Sequence, residues 1–173
     1  MTDNTKLKPL AEQVLISEIV IQSKFAEMAA DRLAKSSESV EIWGSIQSLL
    51  VALANVSKIL WPTRKKYMAR GKQLRELLGI DDDNILADRT FRNHFEHYDE
   101  RIEDWFDSNN SAVYMDFRID PFEPTRLSLP QFFHRSYNPI NGTLSFRNES
   151  IDLVAVLAAL AEIREKCRCF APP

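Results

Sequence analysis

Apolar residues recur along this chain at helical spacing over most of its length and at strand spacing over one stretch nearer the carboxyl end. Over 7–35, Leu10, Val14, Ile21, Phe25 and Met28 return at helical steps, which predicts a first helix ended by the serines at 36, 37 and 39. The stripe over 40–61 is cleaner. Ile42, Ile46, Leu49, Leu53, Val56 and Leu60 alternate steps of four and three, which predicts an amphipathic helix with one buried edge, ending at Trp61 and Pro62. A third helix over 63–78 starts behind Pro62 and stops at Gly79, the residue type that suits the position just past a helix end. Asp81, Asp82 and Asp83 offer caps for a fourth helix over 85–106, in which Phe91, Phe95, Tyr98, Ile102 and Trp105 form the core-facing stripe.

The pattern then changes. Prolines stand at 121, 124, 130 and 139, and Val113, Met115, Phe117 and Ile119 alternate with Tyr114, Asp116 and Arg118, a strand signature. The segments 132–137 and 143–147 flank Asn138, Pro139, Ile140, Asn141 and Gly142, a good turn sequence, so a hairpin is expected there. Ser150 reads as the cap of a last helix over 151–167, with Leu153, Val156, Leu157, Leu160 and Ile163 inward. The expected fold is mainly α: one domain over 1–173, an antiparallel helical bundle with a small β-hairpin or meander insertion at about 111–148, before the last helix.

Composition narrows the function classes. A chain of 173 residues, 45% hydrophobic and 27% charged, supports one folded domain. Its formal net charge of -3 means that bulk electrostatics would not draw it to nucleic acid or an anionic membrane, so any such binding uses a local patch. The longest strictly apolar run, 153–161, has nine residues. A bilayer span takes about 20. With no apolar signal core behind the first charges, the expectation is a cytoplasmic protein without a membrane. Cys167 and Cys169 have no second pair to complete a zinc site and read as free thiols near a helix end. No cofactor and no metal are expected: His94 and His97 have ligand spacing, but no third ligand stands near them in sequence. The chain also lacks a Gly-rich phosphate loop, a nucleophile elbow and a His-Glu-x-x-His pair.

The fourth helix is where chemistry concentrates. On a wheel with Phe91 at zero, Phe95, Tyr98 and Ile102 fall within about 40° of it, while Arg92, Asn93, Glu96 and His97 take the other face. His97 stands one turn beyond Asn93 on the same side, and Arg92 lies about 140° and 7.5 Å from His97 along the helix. Histidine exchanges a proton near neutral pH, and arginine holds a phosphate through a planar fork of donors. The set suits cleavage of a phosphodiester, which uses one group to deprotonate the nucleophile and another to protonate the leaving oxygen. A two-fold dimer through this face supplies a second Arg92 and a second His97.

Arg92-Asn93-His94-Phe95-Glu96-His97 resembles the Arg, polar residue, three of any type, then His signature of the HEPN superfamily of helical domains. The resemblance covers about 6–107 and 150–168. It implies a homodimeric, metal-independent endoribonuclease of the toxin or phage-defence kind, with Arg92 and His97 lining a cleft between subunits, Asn93 assisting and the ribose 2′-hydroxyl attacking. It also implies an antitoxin or a nucleotidyltransferase-like protein as a partner. Other members have lost catalysis and bind nucleotides, RNA or proteins, so a noncatalytic interaction domain is the alternative.

A second patch accompanies the motif. Arg64, Lys65, Lys66 and Arg70, with Lys72 and Arg75, could follow an RNA backbone, although a solvated helix face produces the same run. For the motif itself, the plain structural reading pairs Arg92 with Glu96 and sets His97 among Glu100 and Arg101. His94, nearer the core flank, reads as a packed, hydrogen-bonded side chain. Phe132, Phe133, His134, Arg135 and Tyr137 could form a recognition surface or close a small second core, and His134 by itself suggests no role.

Overall fold

The computed structural model describes residues 7–110, 113–121, 133–147 and 149–170, apart from the side chains of Phe91 and Arg92. The chain is mainly helical, with a small four-stranded sheet ahead of the last helix. Among the described residues the order is α1 (Pro9–Lys35), α2 (Ser39–Leu60), α3 (Lys65–Leu78), a 3-10 turn (Ile85–Ala87), α4 (Thr90–Glu96), α5 (Tyr98–Ser108), β1 (Arg118–Ile119), β2 (Arg135–Asn138), β3 (Thr143–Phe146), β4 (Glu149–Asp152) and α6 (Leu153–Cys167).

α2 is the centre of the core. All six residues of its predicted stripe are buried, none more than 6% exposed. By length and mean hydropathy α2 could cross a membrane, yet its apolar side chains here join those of α1, α6 and the sheet in one cluster. α1 packs along α2 through Ile16, Ile19, Ala26 and Ala29, whose small members bring the two helices close. The stripe legible in the sequence is not this face. Leu10, Val14, Ile21, Phe25 and Met28 point outward, each between 43% and 72% exposed, so α1 is apolar on two sides. Phe25 and Met28, with Val51 of α2, line an open groove of about 500 Å³.

α3 ends as expected, with Gly79 in the left-handed region at φ 62° and its N–H turned back to the Arg75 and Glu76 carbonyls. Near its middle, Gly71 lies against the α2–α3 corner. A Cβ there would collide with the Pro62 ring and approach the Leu60 carbonyl to 2.6 Å. Gly71→Ala is therefore expected to lose about 1–3 kcal/mol of stability through overpacking, read as a lower urea midpoint with an unchanged m-value.

The fourth helix departs from expectation. In place of one helix over 85–106 there are three pieces. Asn84 Oδ1 accepts from the Leu86 N–H (3.0 Å) to cap the 3-10 turn, and Asp88 Oδ1 accepts from the Thr90 N–H (2.9 Å) at the entry to α4, while Asp81, Asp82 and Asp83 stay exposed. His97, at φ -117° and ψ 40°, is the non-helical link between α4 and α5. The reason is tertiary. Phe95 and Tyr98 pack on the main core, whereas Trp105 is buried outside it, on Tyr114 (ring centroids 5.1 Å), and the bend serves both surfaces.

The hairpin is present as read: β2 and β3 are antiparallel, pairing Arg135 with Phe146 and Asn138 with Thr143 across the predicted turn. β1 runs parallel to β2, and β4 antiparallel to β3. Ser150 lies within β4, so the cap of α6 is Asp152, whose Oδ1 accepts from the N–H groups of Val154 (2.8 Å) and Ala155 (3.1 Å). Leu153, Val156, Leu160 and Ile163 are buried, and Leu157 is half-buried. Of the alternating segment only Arg118–Ile119 is strand, with Met115 forming a single bridge to Phe133. Its alternation is turned inside out: Val113, Met115 and Phe117 are exposed, while Tyr114, Asp116 and Arg118 are half-buried. Both cysteines are free. Burial pushes the Cys167 thiol up to about 11, and Cys169 is exposed.

Candidate functional site

The motif spans the α4–α5 junction. Asn93 and His97 are exposed, and the backbone between them keeps its turn, the His97 N–H donating to the Asn93 carbonyl (3.0 Å). Beyond His97 the wheel of a straight helix no longer applies, since the backbone leaves the helical conformation there and α5 starts afresh at Tyr98. Arg92 belongs to α4, and its side chain, like that of Phe91, lies outside the described residues. His97 Nδ1 is 3.3 Å from Glu100 Oε1, the neighbour the plain reading gave it, and both side chains are more than half exposed. Such an exposed pair contributes at most about 1 kcal/mol. His94 is packed as expected, its ring stacked on Phe146 (4.3 Å, 8° between planes) and Nε2 2.8 Å from Glu149 Oε2.

The fold brings the motif to the basic segment. Glu96, between Asn93 and His97, takes an ion pair from Lys58 Nζ (3.0 Å), and the Lys58 carbonyl accepts from Arg70 Nη2 (3.0 Å). Burial lowers the Arg70 pKa, and its guanidinium stands 5.0 Å from the Tyr67 ring centroid. Arg89, just before α4, donates to the Trp61 carbonyl, holding the helix start against the same corner. Arg64, Lys65 and Lys66 are exposed at the head of α3 and form no ion pair among the described residues. Phe132 lies outside the described residues.

A second cluster is one that sequence reasoning missed. His134 is fully buried between α5 and the sheet. Its Nε2 accepts from Arg147 Nε (3.0 Å), which leaves the ring proton on Nδ1, 2.8 Å from Tyr114 Oη and 3.2 Å from Tyr98 Oη. Tyr98 Oη donates to Asp116 Oδ2 (2.5 Å), and Arg135 grips both Asp116 oxygens (3.0 and 2.6 Å). The Arg135 guanidinium is enclosed by rings, 3.6 Å from the centroid of Tyr98, 4.1 Å from Phe117, 5.7 Å from Phe95 and 5.8 Å from Trp43. Burial pushes the Asp116 carboxyl up, but the Arg135 and Tyr98 hydrogen bonds outweigh it and hold the pKa below the usual 3.8. Burial, then the hydrogen bonds to Asp116 and Tyr114, raise the Tyr98 hydroxyl. Burial and the Arg147 charge push His134 down from 6.5 to about 4. The sequence showed only the alternation over 113–119 and not its inversion: Tyr114 and Asp116 face inward because His134 and Arg135 meet them there.

Against known family models, characterised proteins and solved structures, the chain has no match. The buried cluster has a structural chemistry, a neutral histidine and a caged guanidinium tying the sheet to α5. The exposed one presents Asn93 and His97 on the surface, with Arg64, Lys65 and Lys66 forming no ion pair among the described residues.

Proposed function

We propose that the chain is a HEPN-like, RNA-acting protein, a metal-independent endoribonuclease of the toxin or phage-defence kind, its helices arranged as the antiparallel bundle of that superfamily. The observation that carries this reading is the exposed Asn93–His97 turn, tied through the Glu96–Lys58 ion pair and the Lys58–Arg70 hydrogen bond to the α2–α3 corner, where Arg64, Lys65 and Lys66 are exposed and have no acidic partners among the described residues. A single-stranded RNA laid across that corner exchanges counterions for lysine and arginine contacts and reaches the motif. There Arg92 holds the scissile phosphate and Asn93 orients His97. The ribose 2′-oxygen, losing its proton to a base, forms a bond to phosphorus; the bond to the 5′-oxygen breaks, and that oxygen takes a proton from an acid. His97 fills one of these roles, and the His97 of a second copy the other, so the homodimer completes the site.

Replacing both Lys65 and Lys66 with Glu tests the substrate path. Both side chains are exposed, so the fold should hold, while affinity for single-stranded RNA falls at least tenfold. The log–log salt slope should shrink by about 1.4, roughly 0.7 for each phosphate contact removed. Affinity and slope equal to wild type would remove the corner from the reading.

A further inference from the structure

The buried cluster around His134 and Arg147 serves no step of the proposed reaction. Arg147 is a non-glycine residue at φ 52°, a left-handed conformation that L side chains rarely adopt. Three bonds hold it there: its backbone N–H donates to the His134 carbonyl (2.9 Å), its Nε to His134 Nε2 (3.0 Å) and its Nη2 to the Arg101 carbonyl of α5; the His134 N–H in turn donates to the Met115 carbonyl (2.9 Å). Phe117, at φ 54°, is the other such residue among the described ones, and it lies over the Arg135 guanidinium of the same cluster. Two strained backbones therefore meet at one polar knot.

We propose that this knot is an acid-released latch: a second proton on His134 expels Arg147 and frees α5 and the segment before β1 from the sheet, leaving the α1–α2–α6 core in place.

The geometry offers a second proton only the Arg101 carbonyl, which already accepts from Arg147. Nε2 is the only free lone pair of the ring, and it faces a guanidinium that can only donate. The groups around the ring are Tyr98 and the Arg101 carbonyl from α5, Tyr114 and Asp116 from the segment before β1, Arg135 from β2 and Arg147 from the β3–β4 turn. The two arginines oppose a charged imidazolium. Among the described residues Asp116 is the anion that favours a charged ring, and it is already engaged by Arg135 and Tyr98, while Asp104 acts on Arg147 and the Arg101 carbonyl already holds that guanidinium. Trp105, the anchor of α5, packs on Tyr114 and near His134 rather than in the main core, so α5 beyond Tyr98, which rests on the edge of that core, can detach without opening it. The sign follows from linkage. Between pH 6.5 and about 4 the open form binds a proton that the closed form refuses, so the latch is fully held above pH 6.5 and weakens as pH falls through that window.

The test is an NMR titration of the intact protein from pH 7.5 to 3.5, following the His134 ring, the Trp105 indole N–H and the amides of α5 and α2. The expected result is a His134 midpoint near 4, with the Trp105 indole signal and the α5 amide protection lost in the same step while Ile46 and Leu49 stay protected. His134→Asn, which cannot take the proton, should keep the Trp105 signal through that pH. Arg147→Met, which removes the opposing charge, should raise the His134 midpoint. His134 titrating near 6.5, a Trp105 signal indifferent to the His134 step, or α2 losing protection at the same pH would each overturn the latch.

Discussion

Asp116→Ala is expected to destabilise the protein by about 3 kcal/mol, the lower end for breaking a buried ion pair by removing one partner. The Arg135 side chain is 10% exposed and that of Asp116 13% exposed, so the guanidinium left behind cannot recover a full hydration shell. Its aromatic cage of Trp43, Phe95, Tyr98 and Phe117 remains, which keeps the loss from being larger. Tyr98 also loses its charged acceptor and keeps only the Tyr114 hydroxyl and the His134 ring as hydrogen-bond neighbours. For a domain of this size the fall in Tm is about 6–12 °C, at 2–4 °C per kcal/mol. Replacing both partners, Asp116→Leu with Arg135→Met, should recover most of the loss, because an apolar pair of similar volume often equals a buried ion pair. A single variant within 1 kcal/mol of wild type would show that the pair contributes nothing to the seam between sheet and α5.

His97→Ala is expected to lower RNA cleavage by about 10²–10⁴-fold, the contribution of a positioned proton-transfer group. Stability should barely change. The His97 side chain is 53% exposed and its one ion pair, to Glu100, is equally open to solvent. Its backbone already stands outside the helix at a negative φ that alanine also adopts, so the junction should hold. An unchanged unfolding curve combined with a collapsed rate separates a proton-transfer role from a structural one. His94→Ala should do the reverse, since its ring is stacked on Phe146 and bonded to Glu149: stability falls, and chemistry follows only as far as the junction is disturbed.

The elements that a local pattern fully determines were legible in the sequence. α2 has a long stripe with no competing face, α3 has a glycine at its end, and the β2–β3 turn has Asn138 and Gly142, the latter at φ 69°. What failed was decided by contacts distant in sequence. No proline or glycine marks the break at His97, which arises because Phe95 and Trp105 serve different surfaces. α1 carries two apolar faces, and periodicity finds the more regular one, while burial went to the face with Ala26 and Ala29 that fits closely on α2. The alternation over 113–119 gave the right faces with the wrong sides inward, since inward Tyr114 and Asp116 are satisfied by His134 and Arg135, about 20 positions away. His134 could not be recognised alone: its role exists only where Tyr98, Tyr114 and Arg147 converge on it. Of the motif, the exposure of Asn93 and His97 followed from the pattern, and their adjacency to Lys58 and Arg70 came from the α2–α3 corner folding back on α4.

The central claim is tested most directly by incubating mixed-sequence RNA with the wild-type protein and with His97→Ala in EDTA, and by determining the chemistry of the cut ends. The account predicts wild-type cleavage that leaves 2′,3′-cyclic phosphate and 5′-hydroxyl ends and is lost with His97. Cleavage undiminished in His97→Ala, cut ends carrying a 5′-phosphate, or intact RNA in both samples would contradict it.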